Sequence, residues 1–252
     1  MLTAILLSLL AGLATGLGGL IVVSLKGMSM RMLGFGLGLS SGIMVIIGVR
    51  DLFGKSIELG GYFPAVIWFV IGALFILAVD VLLPHEFFFK EPGAGGRGNS
   101  MLLATGAIVA LGITIHNIPE GMIVGAGYAA MPAFGLVLAI AIALHNIPEG
   151  LAVSAPLCAG GCSRRKTLFI STMSGLSETL GAVIAVAFLS FIPGILPGLL
   201  AFAGGVMTYL TMDELIPTAQ KYGSPHAIGL GLMAGIILAL MIGQLVLMGQ
   251  MF

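Results

Sequence analysis

Long apolar runs fill most of the chain, and only short polar stretches separate them. A helix needs roughly 20 apolar residues to cross the hydrocarbon core of a bilayer. The pattern therefore predicts an all-α polytopic membrane protein with one domain over residues 1–252 and short connections. We predict eight spanning helices, at about residues 2–25, 33–53, 62–83, 101–124, 133–157, 168–191, 197–220 and 227–250.

Composition agrees with a lipid environment. Charged residues make up 8% of the chain and hydrophobic residues 59%, whereas about a quarter of the residues in soluble domains are charged. The formal net charge is zero, so charge predicts no nucleic-acid partner. The surrounding lipid bilayer is the expected partner of the apolar surface.

The basic residues predict the orientation. Loops facing the cytoplasm carry an excess of Lys and Arg, and here only Arg50 and Lys55 fall on the opposite side from the other basic residues. This places the connection at 84–100 in the cytoplasm, as a flexible Gly-rich loop, and both termini on the extracytoplasmic side of the cell (inner) membrane. The remaining basic residues lie on the predicted cytoplasmic side: Lys26, Arg31, Lys90, Arg97, Arg164, Arg165, Lys166 and Lys221.

One polar sequence occurs twice inside apolar spans. The fourth predicted span contains HNIPEGM at residues 116–122, and the fifth contains HNIPEGL at residues 145–151. Ionisable groups inside the membrane are costly, so they indicate a functional site by default. Packing alone would not explain the same His, Asn and Glu in two spans. The repeat therefore predicts two walls of one metal site.

The spacing within each copy suits metal binding. His and Glu are four residues apart, so a helix stacks them on one face. The proline before each Glu cannot donate a backbone hydrogen bond, and it is expected to kink the helix and free the carbonyl of Ile115 or Leu144. Imidazole, amide, carboxylate and carbonyl groups together favour Zn²⁺, Fe²⁺ or Mn²⁺ over Mg²⁺ or Cu⁺.

Other spans add candidate ligands. Glu178 follows Glu149 by a further 29 residues, and an intramembrane carboxylate needs a partner such as a metal. Met44 is either a soft thioether ligand or a core residue. Asp213 and Glu214 near the predicted cytoplasmic end of span seven form either an exit site for the ion or a solvated helix end. Asp80 is expected at the membrane interface.

Cys158 and Cys162 lie at the predicted cytoplasmic end of span five. The cytoplasm is reducing, which argues against a disulfide. A CxxxC pair without further ligands is a weak metal signal. We therefore expect free thiols.

With its two HNIPEG sequences in spans four and five, the chain resembles the ZIP (Zrt/Irt-like) metal transporters, in the compact form of the prokaryotic members. The resemblance covers the whole chain. It implies a ZIP-like bundle and import of divalent metal ions, zinc first and also iron, manganese or cadmium. The ion is the transported substrate, and no prosthetic group is implied.

The resemblance also implies a binuclear site midway across the membrane. One metal position would be lined by Met44, His116, Glu120, His145 and Glu149. The second would be lined by Asn117, Glu120, Asn146, Glu149 and Glu178, so that two carboxylates are shared. Some members carry Gln and Asp at positions 145 and 146, and some carry His at position 213.

The family resemblance further implies an elevator-like exchange, in which spans one, four, five and six move against the other four. A homodimer through glycine faces of spans two and eight stays open. The residues also allow two other functions to be considered, an intramembrane di-metal enzyme and a proton-coupled solute carrier. A di-iron enzyme would favour Glu-x-x-His rather than the order found here, and a zinc protease would carry HExxH, which is absent. A proton-coupled carrier of an organic solute would not require the duplicated amide.

Overall fold

The structure, a computed structural model, describes residues 1–25, 29–82, 98–192 and 194–249. Within these ranges eight helices are long and apolar enough to cross a membrane, which confirms the predicted all-α polytopic fold. Most of the loop predicted at 84–100, together with Lys26, lies outside the described residues. The helices are α1 Leu2–Ser24, α2 Met30–Gly60, α3 Tyr62–Leu82, α4 Gly98–Ala130, α5 Pro132–Ala159, α6 Arg164–Phe191, α7 Leu196–Lys221 and α8 Pro225–Gly249.

The helices α2 and α4 extend beyond their apolar runs. In α2, Lys55 Nζ pairs with Glu58 Oε2 at 2.6 Å, and this polar turn continues the helix to Gly60. Because the described connections are so short, three of them use glycines in the left-handed region: Gly61, Gly161 and Gly194 have φ of 86°, 87° and 86°. A residue with a Cβ adopts that conformation only with strain.

Among the residues that the structure describes, two helices contain wider π-helical turns, which the apolar pattern does not predict. They cover Ile46–Leu52 in α2 and Thr211–Leu215 in α7. In α7, Pro217 lacks the N–H that would bond to the carbonyl of Asp213, and Thr211 donates from its hydroxyl to the Met207 carbonyl at 2.8 Å. Such turns are often found at functional sites. By contrast, Pro119 and Pro148 lie inside unbroken α-helices.

The eight helices form two bundles. In the first bundle, α1, α4, α5 and α6 pack on one another. In the second bundle, α2 packs on α8 and along α7, and α3 packs on α7. The two bundles meet along a seam, where α2 faces α5 and α4 faces α7.

Glycines hold each bundle together through backbone contact. A Cβ added at Gly121 of α4 would lie 1.6 Å from the Glu178 carbonyl oxygen of α6, and one added at Gly205 of α7 would lie 1.9 Å from the Phe69 carbonyl oxygen of α3. Throughout the described residues, every such contact shorter than 3.0 Å stays within one bundle. Small residues permit this close approach of helices in lipid. The seam therefore packs more loosely than either bundle.

Candidate metal centre

The two repeated sequences face each other in the first bundle, on the adjacent helices α4 and α5. Their four ionisable side chains are buried, with relative exposures of 3% for His116, 0% for Glu120, 0% for His145 and 1% for Glu149. Helical spacing stacks each His over its own Glu, as the sequence predicted. Four potential ligands therefore meet in the interior of the bundle.

Short distances connect these groups. The Nε2 atom of His145 lies 2.9 Å from Glu120 Oε1 and 3.1 Å from Glu149 Oε1. The Nε2 atom of His116 lies 3.4 Å from Glu120 Oε1 and 3.6 Å from Glu149 Oε1. One ligand atom from each of the four residues lies within 4.8 Å of the other three.

These distances match the edges of a metal coordination polyhedron. With bonds of about 2.1 Å, neighbouring ligand atoms of a tetrahedral zinc site lie roughly 3.4 Å apart. Among the described residues, both Nε2 atoms and both oxygens of each carboxylate have no hydrogen-bond partner of good geometry. Buried polar atoms normally have one. A divalent cation at their common centre would satisfy them and offset the buried negative charge.

A second group of polar side chains adjoins the first. The amide nitrogen of Asn117 donates to the Ser174 carbonyl at 3.1 Å, and that of Asn146 donates to the Ala11 carbonyl at 2.9 Å and to Glu178 Oε2 at 2.7 Å. A backbone carbonyl can only accept a hydrogen bond, so the side-chain atom that faces it must be the amide nitrogen. The amide oxygen of each asparagine therefore points the other way and makes none of these bonds. Both buried oxygens are without a partner in the described structure. They are therefore available as neutral metal ligands.

Hydroxyl groups hold the backbone around the repeats. Ser40 of α2 donates to the His145 carbonyl at 3.0 Å, and Ser177 of α6 donates to the Thr114 carbonyl at 2.7 Å. The hydroxyl of Ser8 in α1 also reaches Glu178 Oε1, at 3.4 Å. Helices from both bundles thus orient the site.

Met44 is fully buried in the apolar cluster that adjoins the site, together with Ile142 and Ile123. This placement fits a core residue as well as a ligand, so its thioether role stays a prediction. The same two interpretations of Met44 follow from the sequence.

Acidic residues of the second bundle approach the site from α7. Glu214 Oε2 lies 3.8 Å from His116 Nδ1, on the opposite side of the ring from the other carboxylates. Glu214 and Asp213 share a small cavity of about 20 Å³ with His116, Asp80 and Tyr209. The sequence assigned Asp80 to the membrane interface and did not single out Tyr209. No sequence motif marks Asp80 or Tyr209 as part of the site. They line the same cavity as His116 only because α3 packs on α7.

A cavity leads to the site from one side. A cavity of about 60 Å³ runs from His116 and Glu149 past Glu214 to Lys221 at the end of α7, and this volume holds a few water molecules. On the other side lies an apolar cluster. Its fully buried large side chains include Ile43, Ile47, Ile123, Leu138, Ile142 and Met207.

The two cysteines are free thiols, as predicted. Cys158 Sγ lies 3.8 Å from Thr167 Oγ1. Neither belongs to the buried His and Glu group.

Comparison with known proteins decides between the functions considered from the sequence. The family model described as ZIP Zinc transporter matches residues 92–246. The chain belongs to the ZIP family. This confirms the resemblance carried by the two HNIPEG sequences, and the family description names a transporter rather than an enzyme.

Relatives within the ZIP family match nearly the whole chain. The zinc transporter ZupT of Akkermansia muciniphila is 39% identical, over 94% of this chain and 95% of its own. The zinc transporter ZupT of Oceanobacillus iheyensis is 40% identical, over 94% and 96%. The zinc transporter ZTP29 of Arabidopsis thaliana is also 40% identical, over 88% and 86%.

Proposed function

We propose that this protein carries divalent transition-metal ions, zinc first, across the membrane and into the cytoplasm. The observation that carries the proposal is the group of four buried ligand atoms from His116, Glu120, His145 and Glu149, all within 4.8 Å. Iron, manganese and cadmium are further candidate substrates, because imidazole and carboxylate ligands suit several of these ions. The relatives named as zinc transporters support zinc as the first choice.

The proposed site holds two ions. Glu120 and Glu149 are shared between the positions, since their Oε1 atoms face the two histidines and their Oε2 atoms have no hydrogen-bond partner in the described structure. The first position adds nitrogen ligands and Met44, and the second adds amide oxygens and Glu178. In this chain His145 and Asn146 give α5 more nitrogen and less negative charge than Gln and Asp would give. We therefore propose stronger binding of zinc at the first position.

The proposed orientation follows from the basic residues, with both termini on the extracytoplasmic side of the cell (inner) membrane. In that orientation the cavity ending at Lys221 faces the cytoplasm. The apolar cluster then closes the extracytoplasmic side. Asp213 and Glu214 lie beside the path along which the ion would leave, so we assign them to its release.

Transport requires the other side to open in turn, and we propose that the first bundle moves as a rigid body against the second. The glycine contacts support this motion, because no described glycine approaches the other bundle so closely that an added Cβ would lie within 3.0 Å of it. At Gly36 and Gly112 an added Cβ would make ordinary contacts of 3.4 Å with Pro148 and Glu214.

Size argues against an organic solute as the cargo. Sites for small organic molecules usually measure about 300–1,000 Å³, whereas the cavity at the metal centre measures about 60 Å³. The most tightly packed glycines of α2 and α8 are not available to a homodimer. Gly42 packs on Leu232, and Gly235 packs on Leu39, within the chain itself.

The proposal is tested by zinc uptake into vesicles that contain the purified protein, with iron, manganese and cadmium as competitors. Glu149→Gln keeps the volume of the side chain but removes its charge, and we expect it to abolish saturable uptake. Glu58→Gln, at an exposed carboxylate paired with Lys55, is the matched control and should transport like the unmodified protein. Undiminished uptake by Glu149→Gln would overturn the assignment.

A further inference from the structure

An open apolar groove lies on the membrane-facing surface of the seam. Its volume is about 450 Å³, and α2 and α5 form its two walls. Met32 and Phe35 on α2 are exposed, at 53% and 40%. The lining side chains apart from Arg31 are apolar: Met32, Phe35, Leu39, Leu144, Ile147, Pro148 and Leu151.

The groove has the length of one membrane leaflet. From Arg31 to Leu39 the α2 wall rises about 12 Å, at roughly 1.5 Å per residue. Half of the hydrocarbon core measures about 15 Å. The groove can therefore accommodate most of one lipid chain that enters from the end where α2 begins.

A single basic side chain marks that end. Arg31 lines the groove in the first turn of α2, a turn that Ser29 caps by accepting from the Met32 amide at 3.2 Å. In the described part of the chain, no salt bridge connects Arg31 to a carboxylate. An exposed guanidinium at the membrane boundary binds phosphate oxygens well, and basic pockets between spanning helices are sites for anionic headgroups.

We propose that this groove binds one anionic phospholipid, with its phosphate on Arg31 and one acyl chain between α2 and α5. The charge of Arg31 selects an anionic headgroup, and the apolar walls hold the chain. A free fatty acid would also offer an anionic headgroup and an acyl chain, so oleate is compared with the phospholipid in the binding experiment.

The groove also gives this lipid a role, which rests on the proposed transport function. Its walls belong to different bundles, and Pro148 of the second HNIPEG sequence forms part of one wall. Sliding of the first bundle would carry Leu144 and Leu151 past Phe35 and change the shape of the groove. A bound lipid therefore favours the present arrangement, in which the site opens toward Lys221, and slows the exchange.

Binding is tested first, by native mass spectrometry of the detergent-solubilised protein with phosphatidylglycerol, phosphatidylcholine or oleate added. The unmodified protein should retain phosphatidylglycerol over phosphatidylcholine. Arg31→Gln should lower that preference about fivefold, the factor expected for one basic residue at an anionic surface. Arg31→Lys should keep it, and Arg164→Gln, at an exposed arginine that does not line the groove, should leave it unchanged.

Two results would overturn the site: the same preference in Arg31→Gln as in the unmodified protein, or equal losses in Arg31→Gln and Arg164→Gln. Retention of oleate in place of phosphatidylglycerol would overturn the phospholipid assignment. Leu39→Trp fills the far end of the groove and should lower retention of both phospholipids. Unchanged retention in this variant would contradict the placement of the chain.

The role is tested by zinc uptake into phosphatidylcholine vesicles with and without phosphatidylglycerol. An anionic surface concentrates zinc for every variant, so the comparison between variants carries the test. We expect the ratio of uptake with and without phosphatidylglycerol to be lower for the unmodified protein than for Arg31→Gln. Equal ratios would refute the role. Absence of uptake in every variant would count against the proposed transport function and leave the binding result standing.

Discussion

Substitution of Gly121 by alanine probes the packing that holds the metal centre. The added Cβ would lie 1.6 Å from the Glu178 carbonyl oxygen, and Cβ contacts shorter than 3.0 Å do not occur, so α4 and α6 must separate by about 1.4 Å. Overpacking of this kind typically costs about 1–3 kcal/mol. The same separation moves Asn117 of α4 away from the Ser174 carbonyl of α6, to which its amide nitrogen now donates at 3.1 Å.

We expect the unfolding temperature of Gly121→Ala in detergent to fall by roughly 2–12 °C, since 1 kcal/mol corresponds to about 2–4 °C in a chain of this size. Zinc uptake per folded molecule should fall as well. Gly36→Ala, at the seam, is the matched control, because its Cβ would meet Pro148 at an ordinary 3.4 Å. Equal destabilisation by the two variants would refute the division into tight bundles and a loose seam.

Three further predictions concern the ion. Zinc at about 100 times its Kd should stabilise the unmodified protein by about 2.7 kcal/mol, measured as a rise in unfolding temperature, and an equal rise in His145→Ala would contradict the site. Zinc uptake should weaken as the external pH falls, because protons compete with the metal for imidazole and carboxylate ligands. An uptake rate that rises toward acidic pH would contradict this competition. Glu214→Gln should slow uptake while zinc binding at equilibrium stays within about threefold, because Glu214 approaches His116 from the second bundle at 3.8 Å, and unchanged uptake would exclude a role in release.

The eight spans and the centre of the site could be predicted because their signals are local. Long apolar runs identify spans without any knowledge of contacts. A four-residue spacing places His116 with Glu120 and His145 with Glu149 on a helix face, and the repeat itself indicates that the two faces belong together. The structure then adds only their mutual distances.

The features that the sequence did not predict depend on contacts between distant helices. The π-helical turn of α2 contains no proline, and Gly48 within it packs on Thr208 of α7. Asp80 reaches the cavity beside His116 only because α3 packs on α7. Small residues permit close approach of helices in lipid, but which neighbour each glycine contacts depends on the fold.

X-ray absorption at the zinc edge, with purified protein loaded with one equivalent of zinc, would identify the ligands of the ion. We expect two imidazole nitrogens and carboxylate oxygens at about 2.0–2.2 Å from the ion. One imidazole should be lost in His116→Ala and another in His145→Ala. A spectrum without imidazole, or one that neither substitution changes, would contradict the assignment of the site to α4 and α5.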